Sequence, residues 1–137
     1  MAKSVMLASM LMVGGTDLSA YCSRIEVSFE AESKDTTTFG SGGWHEELSG
    51  IKSGSVAVTF KQDVAAAALD SILFPFFGTI QTFEVRMNSG ARSTSNPAYT
   101  GNLNIRQYNP IAGSVGDTAE TGGLTWPLSG PPARQTS

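Results

Sequence analysis

The stretch Ile51–Gly78, IKSGSVAVTFKQDVAAAALDSILFPFFG, decides the fold. In its first half Val56, Val58 and Phe60 share one face, and Ser55, Ala57, Thr59 and Lys61 the other. That period of two is a strand. At Asp63 the period changes. An aspartate accepts hydrogen bonds from the free amides of a first helical turn, and the run Ala65–Ala68 has the highest helix propensity in the chain. Val64, Ala68 and Ile72 recur every four residues beside Ala65, Leu69 and Leu73, which predicts an apolar stripe to bury. Pro75 disfavours the α region for the residue before it, so the predicted helix runs over about residues 63–74. Every other patterned segment reads as strand. The expected fold class is mainly β, with one flanking α-helix packed across the strands.

Working back towards the N-terminus, Arg24–Glu32 is the cleanest strand. Ile25, Val27, Phe29 and Ala31 alternate with Arg24, Glu26, Ser28, Glu30 and Glu32, so one face is apolar and the other carries three carboxylates against one arginine. Asp17–Cys22 reads as a helical turn capped by Thr16 or Asp17, after a Gly14-Gly15 turn. Lys3 and the apolar run Val5–Val13 resemble the start of a signal peptide. Tyr21, however, stands where the cleavage box needs a small residue, and nine residues cannot span a bilayer. A buried first strand is the better reading.

Between the two clear strands, Ser33–Gly50 (SKDTTTFGSGGWHEELSG) has neither period. A connection of this length without its own structure is uncommon in a compact domain. Phe39, Trp44 and Leu48 are costly to leave in water, so they dock either on a partner or back onto their own domain. After the helix, Gln81–Asn88 and Tyr99–Tyr108 read as strands, the second with Leu103 and Ile105 opposite Asn102, Asn104 and Arg106. Val115–Pro127 reads as a last strand interrupted at Gly122-Gly123. The tail Ser129–Ser137 is proline-rich and polar, either mobile or docked on a neighbour.

The whole is one domain, residues 1–137, rich in turns: 15 glycines and 6 prolines among 137 residues, only 15% charged. Nine basic residues against twelve acidic give a net charge of −3 with no basic block, which argues against tight phosphate binding. The single Cys22 excludes an internal disulfide framework. His45 is the only histidine, and with Glu46 and Glu47 in a loop it lacks the helical spacing of a metal motif. No nucleophile-elbow, phosphate-loop or dinucleotide fingerprint occurs. No catalytic, cofactor-binding or metal site is expected, and the chain does not read as an enzyme.

Several segments in order, GGTDLSAYCSRIEVSFEAE, DTTTFGSGGWHEELSGIKSGSVAVTFKQD, AAALDSILFPFFGT, SNPAYTG, YNPIAGSVGD and TWPLSG, resemble the major tail tube proteins of long-tailed, non-contractile bacteriophages, siphoviruses of actinobacteria in particular. The resemblance covers nearly the whole chain. It implies a two-sheet β-sandwich or barrel with one flanking helix, six copies per ring, and rings stacked into a hollow tube. The implied partners are other copies of the chain, a tape-measure protein, and the tail terminator and distal tail proteins. DNA would pass through the lumen without specific binding, and the chain would reside in the virion tail after assembly in the host cytoplasm. On this resemblance the lumen is lined by Glu26, Ser28, Glu30, Glu32, Ser55, Asn102 and Asn104. The Ser33–Gly50 loop, with Phe39, Trp44, Glu46, Glu47 and Leu48, joins successive rings. A related ring protein at the tail end, or a monomeric carbohydrate-binding β-sandwich, are the alternatives.

Overall fold

A computed structural model describes Lys3 and residues 5–137. The elements are β1 (Met10–Val13), β2 (Thr16–Asp17), β3 (Cys22–Asp35), a short 3-10 turn (Phe39–Ser41), β4 (Glu47–Phe60), α1 (Leu69–Phe76), β5 (Ile80–Arg86), β6 (Ala98–Asn104), β7 (Leu124–Pro127) and β8 (Ala133–Gln135). They form two antiparallel sheets, one ordered β2-β1-β5-β6-β8 and the other β3-β4-β7. The fold is mainly β with one helix, as the patterning predicts.

The alternation of β4 sets the core. Val56, Val58 and Phe60 are buried beside Leu124 and Trp126 of the neighbouring strand β7, and the other sheet contributes Leu11 and Val13 of β1, Phe83 and Val85 of β5, and Leu103 of β6 to the same core. Trp126 packs its ring 6.1 Å from that of Phe60, and its indole N–H donates to the carbonyl of Gln107 at 2.9 Å. The largest core side chain is thus apolar on its faces and satisfied at its one polar atom. Neighbouring chain crowds Gly54 of β4: a Cβ there would lie 2.5 Å from Leu128 Cδ1 and 2.8 Å from the Ser28 carbonyl oxygen. Only glycine fits.

The helix begins later and ends later than its propensity predicts. Ala65–Ala68 is a turn, with Ala67 at φ 60° and Ala68 extended as the N-cap. Asp63 does accept a hydrogen bond, from the Ala65 amide at 3.0 Å, but it caps that turn. Alanine propensity amounts to tenths of a kcal/mol per residue, whereas fully burying a leucine contributes about 1.5–3 kcal/mol. Seating Leu69 and Leu73, both fully buried, therefore fixes where the helix starts, and Val64 is left exposed rather than on a buried stripe. Pro75 lies inside the last turn, and the Phe77 amide closes that end on the Phe74 carbonyl at 3.2 Å.

Other boundaries move as well, and the buried first strand expected over Val5–Val13 is only Met10–Val13, with Val5, Met6 and Leu7 exposed. The segment 33–50 is not one aperiodic loop, because β3 continues to Asp35 and β4 starts at Glu47, leaving 36–46 as the connection. Backbone pairing with a neighbouring strand, which side-chain alternation does not report, holds these ends extended. The tail 129–137 docks on its own chain: Ala133–Gln135 pairs with β6. The last strand is only Leu124–Pro127, and Val115 lies exposed in the preceding loop.

α1 is tied to that loop. The Tyr108 hydroxyl donates to the Asp70 carboxylate and accepts from the Gln62 amide at 3.1 Å. Burial, together with the Asp70 carboxylate, pushes the Tyr108 phenol up to about 12.

Two outcomes are expected. Trp126→Ala removes the centre of the core and should cost about 3–5 kcal/mol, lowering Tm by roughly 10 °C or more in a thermal melt. The Tyr108 phenol holds its proton more tightly folded than unfolded. Its contribution is complete below about pH 10 and is lost as the pH rises towards about 12. A spectrophotometric titration should show one of the three tyrosines ionising late, and Tyr108→Phe should remove that late step.

Candidate assembly surfaces

From about Ala31 outward, the β3–β4 hairpin leaves the sandwich and stands as an arm whose residues are exposed on both faces. The register runs Ala31 to Lys52, Ser33 to Ser49 and Asp35 to Glu47, with a bulge between Ala31 and Ser33. The arm is held by its own hydrogen bonds. Ser33 donates to the Glu47 carboxylate, and the Thr36 amide donates to the Glu46 carbonyl at 2.9 Å. The hydroxyl and amide of Thr37 hold the Asp35 carboxyl below the usual carboxylate range.

The tip is a closed turn. Thr38 accepts from the Gly40 amide at 3.2 Å while Ser41 accepts from the Thr38 amide at 3.0 Å, and Gly42 and Gly43 turn the chain at φ 65° and 88°. Glycine adopts those angles without the penalty other residues incur. The turn presents Phe39, fully exposed, and Trp44, 79% exposed, on either side of an open cleft of about 630 Å³ that also includes Thr37, Thr38 and His45. Leu48 and Ile51 are exposed along the arm. Of the two dockings left open for these aromatics, neither Phe39 nor Trp44 folds back onto its own core. Glu46 anchors the tip through its backbone, while Glu47 is engaged by Ser33.

A second surface is the outward face of β3 and β4. Glu26 lies opposite Ala57, Ser28 opposite Ser55, and Glu30 opposite Ser53. Arg24 lies 3.7 Å from Glu26, and Lys34 lies 3.5 Å from Glu32. These pairs are solvent-exposed and worth little in stability, though they temper the negative charge of the face. Asn102 and Asn104 do not join it. They belong to β6 in the other sheet, opposite Thr82 and Ile80, so they look out from the far side of the core. Strand alternation identified them as outward-facing but carried no information about which sheet they enter.

On that far side the Arg92 guanidinium, hydrogen-bonded to Glu84, holds the Glu84 carboxyl below its usual range. Arg92 also donates to Gln135 and so clamps β8 in place. The outer edge of β3 is unpaired among the described residues, as are the outer edges of β2 and β8. Unpaired edges of this kind are templates for further strand pairing. Cys22 is half-buried beside the core, and burial pushes its thiol up. No cluster of potential metal ligands occurs among the described residues.

Sequence reasoning did not single out the other end of the molecule. Val64, Phe74, Phe77, Ile80 and Ile111 are exposed where α1 closes the sandwich. The only signal was the aromatic-rich run Phe74–Phe77 at the end of a helix predicted to bury one apolar stripe.

No protein-family model matches the sequence, and no curated protein matches it. Solved structures do. One is a chain of the virion of a native gene transfer agent particle, with a TM-score of 0.76 and 20% identity over 97% of this chain and 99% of that one. Another is a chain of the tail of an empty gene transfer agent particle, a structure with C6 symmetry, with a TM-score of 0.70 and 22% identity over 94% of this chain and 95% of that one. The chain shares its fold, from end to end, with proteins of a virion and of its tail.

Proposed function

We propose that this chain is a structural virion protein, the major tube subunit of a long non-contractile phage tail. Six copies close a ring, rings stack into a hollow tube around a tape-measure protein, and DNA leaves through the lumen. The observation that carries this reading is the end-to-end likeness to a chain of a C6-symmetric tail, joined here to a sandwich with free edges on both sheets. Pairing β3 laterally with a neighbour's edge removes an exposed strand that would otherwise invite aggregation. The arm then reaches along the tube axis, with Trp44 as the anchor between rings, flanked by Phe39 and Leu48. Glu46 and Glu47 sit at the rim. Tail terminator and distal tail proteins finish the two ends of the tube, which forms in the host cytoplasm and resides in the virion tail.

The outward face of β3 and β4, with Glu26, Ser28, Glu30, Glu32 and Ser55, lines the lumen. Six copies repeat its charge around a narrow channel, and a mildly acidic wall lets a polyanion slide rather than adhere. Asn102 and Asn104, on the opposite side of the core, are outside this assignment. A second reading is a carbohydrate-binding module, favoured by the cleft between the exposed rings of Phe39 and Trp44. It requires a stable monomer.

Size-exclusion chromatography with negative-stain microscopy separates the two. The tube reading expects rings and tubes that lengthen with concentration, and a strict monomer at every concentration and salt condition would end it. Trp44→Ala should leave the subunit's melting transition unchanged and shorten or abolish tubes. Tubes of parental length would remove the anchor role. Particles carrying Glu26→Lys and Glu30→Lys subunits should assemble but eject DNA more slowly, and unchanged ejection would count against a lumenal position.

A further inference from the structure

Exposed apolar side chains lie beyond both ends of the β3–β4 ladder. The ladder that starts at Cys22–Phe60 ends at Asp35–Glu47, fourteen residues of β3 and therefore roughly 45 Å at about 3.3 Å per residue. Phe39 and Trp44 stand beyond its outer end. At the inner end, where β4 finishes, α1 crosses to β5 and exposes Phe74, Phe77 and Ile80, with Val64 and Ile111 nearby. Several bulky apolar side chains in one region exceed the scattered single exposures of an ordinary surface.

We infer that the Phe74–Ile80 surface of one copy receives the Phe39–Trp44 tip of a second copy. The assignment rests on the stacking reading above and specifies what the tip meets. The segment FPFFGTI carries no charged residue, so no ionic group must be desolvated when an aromatic tip covers it. It is also a firm platform: Leu69 and Leu73 anchor α1 from beneath, while the hydrogen bonds of Tyr108 to Asp70 and Gln62 brace it from the side. The alternative receptor is a groove of about 590 Å³ beside Phe29, Leu128, Pro131 and Pro132. It carries Glu30 and Lys52 and lies at the base of the arm, on the same half of the molecule as the tip. A head-to-tail displacement along the ladder would carry the tip towards the α1 end of the next copy and away from that groove. Because tip and platform are different surfaces, the contact is heterologous and repeats without closing, which yields a stack. Phe39 and Trp44 together offer roughly 400 Å², about half of the ~800 Å² per partner of a stable interface, and a ring repeats the contact around its circumference.

Two half-defective proteins test the pairing. Trp44→Ala impairs the tip and leaves the platform, while the double variant Phe74→Ser, Phe77→Ser impairs the platform and leaves the tip. All three side chains are exposed, so unchanged circular-dichroism melts are expected. Each variant alone should stop at single rings in sedimentation velocity and microscopy. Pre-formed rings of the two, mixed equally, should give two-ring particles and nothing longer. The platform variant forming tubes of parental length would overturn the assignment, as would a mixture that stays at single rings. A parent protein that never leaves the monomer would instead remove the stacking reading on which this pairing stands.

Discussion

The antiparallel ladder between β3 and β4 is the interaction on which the rest of the structure depends. From Cys22–Phe60 to about Phe29–Gly54 it has a covering layer, with Ile25 and Val27 packed against the core and Val56, Val58 and Phe60 buried within it. Beyond Ala31–Lys52 the same ladder continues with no layer on either face. A two-stranded ribbon is marginal in water by itself, so the arm is extended because the buried half fixes its register and its own side chains close its tip. One hairpin therefore does two jobs: its inner half builds the subunit and its outer half reaches away from it.

A sandwich built this way is complete in its core and incomplete at its boundary. Trp126, Phe60 and the two helix leucines fill the interior, and the buried Thr121 is paired, accepting from the Phe60 amide and donating to the Gly122 carbonyl. The boundary differs. Among the described residues the outer strand edges lack partners, an aromatic tip stands in solvent, and apolar side chains are exposed on and beside α1. Hydrophobic surface of this extent is costly for a lone monomer and ordinary for a subunit whose neighbours cover it. The chain shares its fold with a chain of a virion and with a chain of a C6-symmetric tail.

Much of the fold was legible in the sequence because alternation reports burial directly. Val56, Val58 and Phe60, and the run from Ile25 to Phe29, show the period of two that the structure uses. Elements held by something other than side-chain pattern were harder to read. The outer arm is extended by hydrogen bonds between backbones and by Ser33 and Thr37, none of which leaves a hydrophobic period. The helix start is set by where Leu69 and Leu73 reach the core, and this outweighs the alanines before it. β8 is three residues held by β6 and by Arg92, a clamp whose members lie far apart in the sequence. Of the candidate surfaces, Trp44 was visible as an aromatic among glycines. The sheet membership of Asn102 and Asn104, and the exposed α1 end, depend on tertiary placement.

Hydrogen exchange tests most directly the claim that the arm is a pre-built element completed by other copies. The comparison is between dilute subunit and concentrated assembly, followed by mass spectrometry over residues 30–52. In the subunit, amides of the arm directed across the β3–β4 ladder should exchange slowly, and those on the free edge of β3 should exchange quickly. On assembly the free-edge and tip amides should become protected while the core strands change little. Arm amides that exchange identically in both states would contradict the account, as would free-edge amides already protected in the isolated subunit.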